Sequence, residues 1–364
     1  MGLRVPRVPL FGGIIMAIGL TTATAAMAAT TPATAPVVVR PTPWRVVFTA
    51  RSGQPIIRDI VALSSRDIWA VGDRRAGPFA VHWNGRHWKI ATIPHAPGFI
   101  PLFLSAPSPT DIWALGFLLR NGQPSAVHWD GSMWHVVSLP TDGSDLGVVF
   151  SPSDIWLVGS QSCDSSGCVT NILHWNGSTW NKSSVHTTVA AIGGTSDHDL
   201  WLAGMNNIRT VGDQQHSELT VFRRSGTAWH RISVGQHEFA GTPGLTVTSA
   251  RNVWISGFRA RPRRNGEQPF MAVHWDGSRW SVLTVPDSLA DAGPTAGDGG
   301  NGQWFGPDLH WTGREWIEEV GTWLPRWANP FSFTRVSHIP GTRKAVVGVG
   351  SQGGILIGVT GRLG

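Results

Sequence analysis

The sequence predicts an all-β chain, a seven-bladed β-propeller of four-stranded antiparallel blades. Three observations lead there. The motif Asp-Ile-Trp-(Ala/Leu)-(Val/Leu)-Gly recurs about every 45 residues, at Asp67–Gly72, Asp111–Gly116 and Asp154–Gly159. Each copy is followed by His-Trp-(Asn/Asp)-Gly-x-x-Trp, at His82–Trp88, His128–Trp134 and His174–Trp180. Looser copies hold Trp201 and Trp229, then Trp254, Trp275 and Trp280, then Trp304, Trp311 and Trp316. A repeat of this length, rich in strand formers and turn glycines, describes one blade per copy.

Taken in order, residues 1–28 read as a secretory signal: basic Arg4 and Arg7, the apolar run Leu10–Leu20, and the small-residue site Ala26-Met27-Ala28. An uncleaved anchor is the rival reading, because no charge falls between Val8 and Ala29. Residues 29–42 form a Pro/Thr-rich linker with nothing to bury. The propeller then occupies 43–364.

The first copy sets the blade pattern. Arg58–Leu63 is strand a, Ser64–Asp67 a turn, Ile68–Val71 strand b, Phe79–Trp83 strand c, and Trp88–Ile93 strand d, ended by Pro94. Asn84-Gly85 is read as a two-residue hairpin with positive φ. The fourth copy keeps the spacing with Arg223 and Arg224 in place of His-Trp. In the seventh, Ala345–Gly348 aligns with strand b and Ile355–Val359 with strand c, and the chain stops before a strand d. Trp44-Arg45-Val46-Val47-Phe48 resembles strand d, so the N-terminal strand 44–48 is expected to complete the last blade and close the ring, removing a free edge.

Connections a–b and c–d fall on one end of such a ring, b–c and d–a on the other. The first set is short and uniform. The second varies: from strand-b Trp to the strand-c aromatic position the first six copies span 14, 16, 19, 23, 21 and 7 residues. Variable loops on a regular frame are where binding residues collect. Two of the 20 tryptophans lie off the repeat, Trp323 and Trp327; with Arg326 between them on the last d–a connection, they suit stacking on sugar rings, or plugging a groove between blades. Arg261, Arg263 and Arg264 crowd one b–c loop. The remaining tryptophans and the His of the His-Trp pairs read as packing residues, and five His on five blades do not converge on a metal.

Loss of Arg4 and Arg7 with the signal lowers the formal charge from +6 to +4. A basic exported surface suits an anionic wall polymer or acidic polysaccharide over nucleic acid. Cys163 and Cys168, five apart in an exported chain, are expected to form a loop-pinning disulfide. No catalytic order, zinc signature or phosphate loop stands out, so no catalytic residue, cofactor or metal is assigned.

At these motifs, over roughly residues 44–364, the chain resembles the bacterial exported propeller-repeat proteins carrying Asp-(Ile/Val)-Trp-Ala-Val-Gly and His-Trp-(Asn/Asp)-Gly-x-x-Trp. That resemblance implies the fold and no active-site residues. Sialidase and kelch-type propellers are more distant: here Asp130-Gly131 and Asp276-Gly277 are adjacent rather than spaced as in the sialidase Asp-box, and the chain has no Tyr. The expectation is a secreted, monomeric, non-catalytic module binding an extracellular carbohydrate or cell-wall polymer on the variable end. A propeller glycoside hydrolase or polysaccharide lyase, and a protein-interaction scaffold, are the alternatives.

Overall fold

A computed structural model describes residues 37–41, 44–50, 55–212, 214–261, 268–285, 295–306, 309–320, 333–342, 346–350 and 355–359, all within the compact unit Thr34–Gly364. The expected signal, residues 1–28, lies outside them. The described residues are strands and turns.

Ile56–Ser64, Asp67–Arg74, Gly77–Trp83 and Trp88–Thr92 form a four-stranded antiparallel sheet in chain order. Phe99–Ser108, Asp111–Leu118, Pro124–Trp129 and Trp134–Ser138 repeat it, as do Gly143–Ser151, Asp154–Asp164, Gly167–Trp175 and Trp180–Val185. The next two four-strand sets, Thr188–Ser196 to Ala228–Ile232 and Glu238–Ser249 to Trp280–Thr284, are hydrogen-bonded into one eight-stranded sheet. Thr295–Gly297, Gln303–Phe305, Leu309–Trp311 and Trp316–Val320 follow. Phe333–His338, Val346–Gly350 and Ile355–Val359 take Trp44–Thr49 as their fourth strand, antiparallel, with Trp44 opposite Val359 and Thr49 opposite Ile355. Strand a of each set adjoins strand a of the next, and Phe333–His338 adjoins Ile56–Ser64.

Two expectations need correction. Part of the supposed linker is a strand: Val37–Pro41 runs parallel to Trp316–Val320 as a fifth strand of that sheet. A run of three valines has the β-branched stiffness that suits a strand. The c–d turn also holds four residues, not two, since Trp83 pairs with Trp88, Trp129 with Trp134, and Trp175 with Trp180. Only its glycine takes positive φ, 86° at Gly85 and 93° at Gly131. The Asn or Asp before it instead uses its side chain: Asn84 Oδ1 accepts from the amides of Arg86 and His87, both at 3.1 Å.

The repeat motif is a packing device. In strand b, Asp111 accepts from the indole N–H of Trp113 at 2.7 Å and bonds His128 Nε2 at 2.8 Å. The His128 ring lies flat on Trp113, centroids 4.2 Å apart. Asp154, Trp156 and His174 repeat the arrangement, and so do Asn252, Trp254 and His274. In the fourth set Arg223 substitutes for His, its guanidinium 4.8 Å from the Trp201 ring centroid and 3.5 Å from Asp199. The buried indoles of Trp113, Trp156, Trp201 and Trp254 thus keep their polar edges satisfied while their rings fill the space between sheets, whereas the indole N–H groups of Trp69 and Trp304 are buried without a hydrogen-bond partner. The motif glycine has a separate cause. A bulge in strand a turns the Ile56 and Ile100 carbonyls onto Gly72 and Gly116, where any Cβ would collide.

Candidate functional site at the variable end

The fourth set departs most from the repeat. After Asp199-Leu-Trp-Leu-Ala-Gly204 its strand b continues to Val211, and strand c begins at Gln214, so the two strands form a long b–c hairpin. A register shift between Asn206 and Arg209, with Asn207 at φ 49°, re-aims the side chains of strand b. The far side of the hairpin pairs His216, Ser217 and Glu218 with Ala240, Phe239 and Glu238, which is what welds this set to the next.

That pairing sets Glu218 directly opposite Glu238. Two like charges in register repel, and the bulged strand supplies the relief. Asn207 Nδ2 donates to Glu218 at 2.8 Å, and Arg209 donates to Glu238 at 2.8 Å. The Arg209 bond, aided by the charges of Arg209, Arg261 and His216, holds the Glu238 carboxyl below the usual carboxylate range. The same bond raises the Arg209 guanidinium. Beside them, burial lowers His237, with Arg259 adding to the effect, so its imidazole is held neutral. Ile208 and Val211 are exposed on the hairpin. The cluster therefore offers planar polar groups of both kinds beside apolar surface, the combination that grips hydroxyl-bearing rings.

Of the residues singled out in the sequence, Arg261 lies here, exposed at the end of the strand carrying Arg259. Arg263, Arg264, Trp323, Arg326 and Trp327 fall outside the described residues. Cys163 and Cys168 are disulfide-bonded across the tip of the third b–c hairpin. Arg209, Glu218 and Glu238 were not picked out by sequence reading. The one sequence signal for Arg209 and Glu218 is the 23-residue span from Trp201 to Arg224, the longest of the b–c spans, and Glu238 lies beyond it. Among the described residues no group of three or more His, Cys, Asp or Glu is arranged to hold a metal ion.

No protein-family model matches the chain, and no curated protein matches it. Several solved structures do. YCF48 bound to a D1 peptide is similar over 89% of this chain and 99% of its own, at 15% identity and a TM-score of 0.58. An oligogalacturonate lyase from Vibrio parahaemolyticus is similar over 89% and 98%, at 8% identity and a TM-score of 0.58. The β-propeller domain of the Trilobed protease from Pyrococcus furiosus is similar over 85% and 96%, at 9% identity and a TM-score of 0.55. At such identities the likeness establishes the fold alone, that of a β-propeller.

Proposed function

We propose that the chain is a secreted, non-catalytic propeller of seven blades that binds an extracellular carbohydrate or cell-wall polymer on its variable end. Trp44–Thr49 pairing with Ile355–Val359 and the contact of Phe333–His338 with Ile56–Ser64 support the closed ring. The binding reading rests on one observation, the bulged hairpin that gathers Asn207, Arg209, Glu218 and Glu238 with Arg261 at the variable end. Glu238, held ionised, has no proton to give as a general acid near neutrality, which favours binding over glycoside cleavage.

The test is a glycan array and a cell-wall pull-down with the mature protein. Arg209→Ala combined with Glu238→Gln should weaken binding at least tenfold while leaving the melting temperature nearly unchanged, because exposed ion pairs contribute little stability. Undiminished binding by this variant refutes the site. A polysaccharide lyase is the second reading, favoured by the neutral His237 beside Arg259, a base next to a cation, and by the fold shared with oligogalacturonate lyase. Formation of unsaturated ends from polygalacturonate, lost in His237→Ala, would establish it in place of the first.

A further inference from the structure

The opposite end, with its short a–b and c–d turns, carries a charge pattern of its own. There the c–d turn glycines Gly85, Gly131, Gly177 and Gly277 lie against the residue preceding strand b, respectively Arg66, Thr110, Ser153 and Arg251. A Cβ at Gly85 would stand 3.0 Å from Arg66 Cβ, and one at Gly277 2.8 Å from Arg251 Cβ. The arginine stem therefore lies across the c–d turn of its own blade. In both blades that turn brings a second arginine, so Arg66 accompanies Arg86 and Arg251 accompanies Arg279, and all four are exposed. Arg314, also exposed, occupies the c–d turn of the sixth set.

Among the described residues Arg66, Arg86, Arg251 and Arg314 have no acidic partner. Arg279 reaches Asp276 at 3.6 Å with its own side chain 80% exposed. In the second and third sets the cradled residues are Thr110 and Ser153, and their c–d turns contain no cation. In the fourth, Arg224 is occupied: it donates to the Asp197 carbonyl at 2.7 Å and lies over the Trp156 ring. The free guanidinium groups thus gather on the fifth, sixth and first sets, one side of the end.

We propose that Arg66 with Arg86, and Arg251 with Arg279, are two anion forks that bind one linear, carboxylate-bearing polysaccharide, with Arg314 between them. Guanidinium pairs suit carboxylate geometry, yet an exposed pair alone binds weakly. Two forks on one rigid body gain from a ligand that occupies both, since the second contact becomes intramolecular. A polymer is therefore the ligand and a monomer is not. This goes beyond the variable-end site and rests on the ring arrangement of the sets.

Binding of the mature protein to immobilised polygalacturonate tests it, at low and at physiological ionic strength. Changing Arg66, Arg86, Arg251 and Arg279 to Ala should weaken binding at least tenfold, and removing either pair alone should lose most of that. Free galacturonic acid at equal carboxylate concentration should not compete. A charge-matched control with Arg75, Arg120, Lys182 and Arg231 changed to Ala should bind within about twofold of the parent at physiological ionic strength, where charges more than about 8 Å from the ligand are largely screened. Equal weakening in the control, or unchanged binding after loss of the four turn arginines, overturns the proposal. So does binding to phosphatidylglycerol vesicles with none to polygalacturonate. Loss on changing Arg209 and Arg261 instead would return the polymer to the variable end, overturning this inference while leaving the proposed function standing.

Discussion

Asp59 sits where the first, second and last sets meet, and its carboxylate is buried. Oδ1 accepts from the Ile60 amide at 2.8 Å, and Oδ2 accepts from the Leu104 amide of the next set at 2.7 Å. Arg335, 3.5 Å away on the last strand a, lies over the Phe103 ring. Burial outweighs Arg335 and the two amides and pushes the carboxyl from 3.8 up to about 6. The folded state therefore binds this proton more tightly than the unfolded chain does. Its stabilising contribution is full below pH 3.8 and is lost as pH rises through 6, a change of about 3 kcal/mol. His274 works in the opposite sense: burial lowers it from 6.5 to about 4, so its contribution is present above 6.5 and lost as pH falls. The parent's own profile blends the two slopes, and a substitution separates them. Asp59→Asn is neutral at every pH but offers an N–H₂ where one amide needs an acceptor, at a pH-independent cost of roughly 1–3 kcal/mol. Urea unfolding followed by tryptophan fluorescence should show the variant weaker than the parent at pH 4. By pH 7 the gap should have shrunk by about 2 kcal/mol, so that the variant approaches or overtakes the parent. An identical gap at pH 4 and pH 7 refutes the reasoning.

Four further outcomes follow from the packing. Gly72→Ala should lower stability by about 1–3 kcal/mol in the same assay, because the Ile56 carbonyl occupies the space a methyl needs. Asp111→Ala strands the donors of Trp113 and His128 and should cost roughly 2–4 kcal/mol. Asp111→Asn should cost less than about 1 kcal/mol, since Asn252 already serves Trp254 and His274 in the fifth set. Replacing Cys163 and Cys168 by Ser opens a ring closed over only five residues and should lower stability by about 2 kcal/mol at most, read as a small thermal shift.

What the sequence disclosed follows the range of the interactions involved. The strand-c to strand-d spacing and the Asp-Ile-Trp motif are local, and the strands they mark lie where the repeat places them, Ile355–Val359 to the residue. The c–d turn was misread because Asn84-Gly85 carries the signature of a tighter hairpin, and only the register of Trp83 with Trp88 reveals the two extra residues. Val37–Pro41 was missed for a different reason: its partner, Trp316–Val320, is 279 positions away and parallel, and no local pattern names a parallel partner. The sixth set shows the same limit at one residue. Gly302 stands where the other copies have Asp or Asn two before the strand-b Trp, yet His310 keeps a carboxylate at 3.0 Å because Asp298 reaches in from the preceding turn. The glycine is required there, since a Cβ on residue 302 would strike the Trp311 backbone carbonyl as well as the Asp298 carboxylate.

The same distinction separates the two candidate surfaces. Arg66, Arg86, Arg251 and Arg279 stand at repeat positions, so their turns are readable from sequence, and only the structure shows that Arg66 and Arg251 lie against the glycines of those turns. Glu218 and Glu238 lie 20 residues apart on strands of different sets, and Arg209 meets them through a bulge. Repeat positions are constrained by the ring and carry chemistry only through their side chains. Where the chain breaks its period, as from Met205 to Ala240, the constraint is lifted and a cluster of this kind can form.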